Sequence, residues 1–102
     1  MDRPCTLTMW RVELDRQTAF QEVISQLETV LLRLPNPPEA LILLRSSDDP
    51  AIFHTIGWFG SQSDLDAMRE DEDARRLLDE LVTLSSEFHS TAHSVVRTAG
   101  AR

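Results

Sequence analysis

Ile52-Phe53-His54-Thr55-Ile56-Gly57-Trp58-Phe59 runs without a break into Gly60-Ser61-Gln62-Ser63-Asp64-Leu65-Asp66-Ala67-Met68. The first half is apolar, β-branched and aromatic, the composition of a strand, so residues 51–59 are expected to form one. His54 and Trp58, four apart, then point the same way, because strand side chains alternate between faces. Ser63 and Asp66 have the spacing of a capping box, which predicts that a helix begins there.

Working outward, Ala40-Leu41-Ile42-Leu43-Leu44 within residues 39–45 has no polar alternation and is expected to be a strand covered on both faces. Ser46-Ser47-Asp48-Asp49-Pro50 joins it to residues 51–59 as a hairpin turn, since Ser and Asp side chains bond the local backbone. Residues 5–14 alternate well enough for a first strand, with Leu7, Met9 and Arg11 on one face and Thr8, Trp10 and Val12 on the other. Asp15 is the expected cap of a helix whose stripe is Phe20, Val23, Ile24, Leu27, Val30, Leu31 and Leu34, stopped by Pro35-Asn36-Pro37-Pro38. The second helix carries Leu65 and Met68 and resumes its stripe at Leu77, with a break expected at residues 70–73, where an Asp can recap it. Residues 88–98 form the last strand, and residues 99–102 a frayed tail.

The order β-α-β-β-α-β predicts an α+β, ferredoxin-like domain spanning residues 1–102, a four-stranded antiparallel sheet with both helices on one face. The other face would then expose apolar surface, and a homodimer pairing sheet to sheet is the economical cover.

Composition narrows the functional classes. The net charge is −7 and no basic run occurs, which argues against nucleic-acid binding. No apolar run approaches the roughly 20 residues of a membrane helix, and Met1-Asp2-Arg3-Pro4 leads into no signal-like core, so no membrane association and a cytoplasmic location are expected. Cys5 is the sole cysteine, which precludes an internal disulfide and reads as a buried bystander. All ten basic residues are Arg, consistent with a GC-rich bacterial genome.

With the element order and the segment Trp58 to Met68 in hand, the chain resembles the antibiotic biosynthesis monooxygenase family of the dimeric α/β-barrel superfamily. The shared pattern is a strand-ending Trp followed by a Ser-initiated helix. That superfamily also contains cyclases, haem-degrading enzymes and proteins without known activity. The anthrone-oxidising members use no cofactor, and the resemblance implies the same here. They pair the strand-end Trp with a polar residue four positions earlier, which maps onto Trp58 and His54; the family's usual Asn is His in this chain. The haem-degrading branch needs a His on the second helix and an Asn on the first strand. This chain has Met68 and Arg69 in that helix and no Asn before Asn36, which disfavours haem chemistry.

The resemblance implies a cofactor-independent monooxygenase that oxidises an aromatic polyketide or related secondary metabolite, phenol or anthrone, to a quinone. His54 is the expected base, since imidazole titrates near neutrality, and Trp58 offers an N–H donor and an aromatic wall. Trp10, expected close by, Arg11, Met68 and His93 are the candidate substrate-binding residues. Four have a plainer alternative: core packing for His54, Trp58 and Trp10, and reaching solvent or pairing with Glu13 for Arg11. His89 and His93 share a face, but no Cys or third His completes a zinc site, so none is expected. A cyclase or isomerase moving a proton on a polyketone, and a non-catalytic dimer that binds a small ligand or accompanies a larger enzyme, remain open.

Overall fold

A computed structural model describes residues 3–100, so Ala101 and Arg102 of the expected tail lie outside it. The chain runs β1 (Arg3–Arg11), a 3-10 turn (Leu14–Arg16), α1 (Gln17–Leu32), β2 (Ala40–Arg45), β3 (Ile52–Trp58), α2 (Gln62–Glu70), α3 (Glu72–Leu84) and β4 (Glu87–Val95). The strands form one antiparallel sheet in the order β2-β3-β1-β4. This is the predicted ferredoxin-like arrangement, with the second helix divided into α2 and α3. No helix among the described residues is long and apolar enough to cross a membrane.

The break between α2 and α3 falls where the charged run predicts it. Asp71 leaves helical geometry, and its side chain accepts from the Ala74 N–H at 3.0 Å, capping α3. Two caps differ from expectation. Ser61 rather than Ser63 caps α2, accepting from the Asp64 N–H at 3.2 Å, because the strand ends one residue earlier than expected and the turn is short. Asp15 caps nothing: it lies in the 3-10 turn, and α1 begins at Gln17 without a side-chain cap. Gln17 ties that junction instead, donating to the Val12 and Pro50 carbonyls at 3.0 and 2.9 Å.

The hairpin turn forms as read, with Ser46 Oγ accepting from the N–H groups of Asp48 and Asp49, and Asp49 accepting from that of Ala51. β2, however, is an edge strand and not a doubly covered one. Ile42 and Leu44 are exposed because they share the face without helices with Ile56 and His54, and Leu41 is exposed at the sheet's edge.

Register decides what faces the helices. Phe53 pairs with Trp10, which pairs with Phe88; Thr55 pairs with Thr8, which pairs with Ser90. Directly paired residues share a face, so these rows lie under the helices. The core there joins Trp10, Val12, Phe53 and Phe59 to Phe20, Val23, Ile24 and Leu31 of α1, and to Leu65, Met68, Leu77 and Leu81 of α2 and α3. Phe20 makes an edge contact with Trp10 at 5.7 Å between centroids and packs against Phe53 at 5.3 Å. The other face carries Leu7, Met9, Ile52 and Ile56 with no helix over it.

Candidate active site

Between the sheet and its helices lies an apolar cavity of about 100 Å³. Its sheet wall includes Thr6, Thr8, Trp10, Thr55 and Phe59; α1 contributes Ile24, Leu27 and Leu31, and the later helices Met68, Leu78 and Leu81. Among the described residues, Glu28 is the one ionisable side chain of the lining, and no Arg or His reaches the cavity. Strand periodicity creates this wall: successive alternate residues of β1 and β3 face inward, and Gly57 between Thr55 and Phe59 leaves space that a side chain would fill.

The polar part of the wall is a row of hydroxyls. Trp10 Nε1 donates to Thr55 Oγ1 at 3.0 Å, and Thr8 Oγ1 and Ser90 Oγ share a hydrogen bond at 2.9 Å. The Trp10 ring is held on two sides, against Phe20 and stacked on Phe88 with centroids 5.8 Å apart. Trp10 is 4% exposed, so its N–H satisfies itself on Thr55 instead of on water.

The sequence-predicted residues divide between the two faces. Trp10 and Met68 line the cavity. His54, Trp58, Arg11 and His93 sit on the open face of the sheet, in register with Met9, Cys5, Ile52 and Cys5 respectively. The expected proximity of Trp10 to His54 is therefore corrected: adjacent strands bring their backbones together, but Trp10 pairs with Phe53, one residue from His54, and so points the other way. His54 and Trp58 share a face but are separated by four residues of strand, roughly 13 Å, with Ile56 between them.

On the open face Arg11 is engaged by carboxylates, with Nη1 at 3.2 Å from Asp49 and Nε at 3.5 Å from Glu87. His89 Nε2 meets Glu87 at 3.0 Å, and His93 Nε2 meets Thr91 Oγ1 at 2.7 Å. The His89 hydrogen bond, with help from Arg11, holds the Glu87 carboxyl below its ordinary range. Asp49 is lowered chiefly by the Ala51 N–H, then by Arg11. Burial raises the Cys5 thiol. Among the described residues, no three His, Cys, Asp or Glu side chains gather as a metal-binding group.

Sequence reading missed Thr8, Thr55 and Phe59 as cavity residues. The signal was present in the alternation, since Thr6, Thr8 and Trp10 share a face of β1, but only the inter-strand register says which residues of β3 join them.

No protein-family model matches the sequence, and no curated protein sequence does. Solved structures do. SnoaB, a cofactor-independent oxygenase from Streptomyces nogalater, superposes with a TM-score of 0.84 at 15% identity, covering 99% of this chain and 100% of that one. The chain adopts the fold of the antibiotic biosynthesis monooxygenases. A protein from Nitrosomonas europaea proposed to be such a monooxygenase gives 0.82 at 20% identity over 96% and 94% of the two chains. A conserved protein from Methanosarcina mazei Go1 gives 0.83 at 12% identity over 91% and 92%. The antibiotic biosynthesis monooxygenase fold is thus matched nearly end to end.

Proposed function

We propose that the protein is a cofactor-independent monooxygenase that oxidises an aromatic phenol of secondary metabolism to a quinone, in the cavity between sheet and helices. The observation that carries this reading is the largely apolar cavity with the hydroxyl row on one wall, in a fold shared with SnoaB. The apolar walls hold a ring and exclude water, and Thr55 and Thr8 meet its oxygen. The substrate loses a proton, for which Glu28 is the acceptor the lining offers. The resulting anion passes one electron to dioxygen, and the radical pair combines as a peroxide. Loss of water leaves the carbonyl, so one oxygen atom enters the product and the other leaves as water.

A second reading keeps His54 as base and Trp58 as donor on the open face. It is favoured by the grouping of His54, Trp58, Arg11 and His93 there. That face is also where we propose a homodimer, since Leu7, Met9, Ile52, Ile56 and Leu44 present apolar side chains with no helix above them. Pairing two sheets would enclose His54 and Trp58.

Dioxygen uptake with a panel of phenols, hydroquinones and anthrones tests both readings. Uptake yielding a quinone and reduced by Thr55→Val, Trp10→Phe and Glu28→Gln supports the cavity; dependence on His54→Ala and Trp58→Phe supports the open face. Turnover of a polyketone without oxygen would replace both with a cyclase, and no turnover by the folded protein with any panel member counts for a non-catalytic binder.

A further inference from the structure

We infer that the cavity selects a neutral, single-ring ligand bearing a hydroxyl or carbonyl oxygen, and that Thr55, positioned by Trp10, is the residue that recognises this oxygen. The inference rests on the cavity being the substrate site and narrows the substrate class. Three observations carry it.

The first is size. At about 100 Å³ the cavity is of the same order as the ~150 Å³ engineered apolar cavity that takes up benzene. One aromatic ring fills such a space, with the flexible Met68 side chain able to yield slightly. Three fused rings do not fit unless α1 and α3 separate.

The second is charge. Among the described residues the lining offers no cation, and its one ionisable group is a carboxylate at an exposed position of α1. A ligand arriving as a carboxylate or phosphate would exchange its hydration for neutral hydroxyls alone and would meet the negative charge of Glu28. The ligand is neutral on entry.

The third is the direction of the Thr55 hydroxyl. Its oxygen already accepts from Trp10 Nε1, and among the described residues its own proton has no acceptor. An indole donates only, so this bond has a single polarity. Trp10, clamped between Phe20 and Phe88, therefore leaves Thr55 with one O–H to give to whatever occupies the cavity. Thr8 lacks this constraint, because either member of the Thr8–Ser90 pair can donate. Thr55 is the specificity residue and Trp10 its positioning residue.

Phenol and toluene, alike in size, separate the hydroxyl's contribution from ring burial. Titration of the intact protein is followed by NMR of its methionine methyls, with Met68 reporting the cavity and Met9 the open face. Both ligands are expected to shift Met68 and leave Met9 in place, while anthrone does not shift Met68. Thr55→Val is expected to weaken phenol relative to toluene by roughly fivefold to tenfold, the effect of one lost hydrogen bond. Thr55→Ser restores the ratio, and Trp10→Phe lowers it without abolishing toluene binding. Toluene binding by each variant shows that the cavity is intact. An unchanged phenol-to-toluene ratio in Thr55→Val, shifts at Met9 instead of Met68, saturation by anthrone, or no binding of either ring overturns the inference. Oxygen uptake plays no part here, so a failed oxygenase assay with these binding results intact would remove the monooxygenase and leave the recognition.

Discussion

Trp10 pairs with Phe53 across the two central strands, and that single residue of register sets its indole on the opposite face of the sheet from the His54 imidazole. The sheet therefore separates two environments. Beneath the helices is a cavity with hydroxyls and an indole but, among the described residues, no imidazole or guanidinium. On the other face stand His54, His89 and His93, all the histidines of the chain, with Met9 paired to both His54 and His89. The imidazoles thus lie on one face and the cavity on the other.

Leu81 is fully buried and forms part of the cavity wall. Leu81→Ala is expected to cost about 2–5 kcal/mol, the range for deleting a buried leucine side chain, and urea denaturation measures it. The removed atoms adjoin existing space, so the cavity grows and bicyclic phenols should become ligands. A variant that loses stability without admitting larger rings would show that α3 has collapsed inward.

The two divided helices depend on their caps. Ser61→Ala and Asp71→Ala should each lower stability by about 1 kcal/mol, because each leaves an early helix N–H without its acceptor. Asp71→Asn keeps the oxygen and should be close to neutral. The two losses should add, since the caps serve different helices and share no partner. Thermal or urea unfolding of the single and double variants checks this, and a marked shortfall from additivity would mean that α2 and α3 fray as one unit.

Local chemistry made the elements legible. The proline run after α1, the Ser/Asp turn between β2 and β3, and the acidic run around Asp71 each act over a few residues, and each appears where it was read. Even so, the cap of α2 lies two residues before the expected one, because a capping pattern recurs at Ser61 and Ser63 and only the end of β3 chooses between them. The site was less legible because it depends on inter-strand register. Alternation shows that His54 and Trp58 share a face, but a strand with apolar residues on both faces does not say which face the helices cover. The apolar run of β2 likewise looks like a doubly covered central strand, though it lies at the edge with Ile42 and Leu44 exposed on the open face.

Gly57 lies on the cavity side between Thr55 and Phe59, and a Cβ there would come within 3.1 Å of Leu41 Cδ2. Leu41 is on an edge strand and 37% exposed, so its methyl can move outward. Gly57→Ala should therefore leave stability within about 1 kcal/mol of the wild type, the lower backbone entropy of the unfolded chain offsetting the contact. The added methyl takes up cavity space, and phenol affinity should fall while the unfolding midpoint holds. A large drop in midpoint would show that β2 cannot yield.

Asp49 and Glu87 flank Arg11, yet their carboxyls are depressed for different leading reasons, and titration should separate them. For Glu87 the hydrogen bond from His89 leads; for Asp49 it is the Ala51 N–H, with Arg11 secondary. His89→Ala should raise the Glu87 pKa towards the ordinary glutamate value and leave Asp49 nearly unmoved, read from carboxyl carbon shifts across a pH series. Both groups ionise more readily folded than unfolded, so their contribution is fully present above the unfolded carboxylate range near pH 4 and is lost as pH falls through the depressed folded values. The urea midpoint should therefore hold from neutrality to about pH 5 and decline below it, with a shallower decline in Glu87→Gln. Equal acid slopes for Glu87→Gln and the wild type would show that the His89–Glu87 contact contributes nothing to folding in solution, as exposed ion pairs often do not.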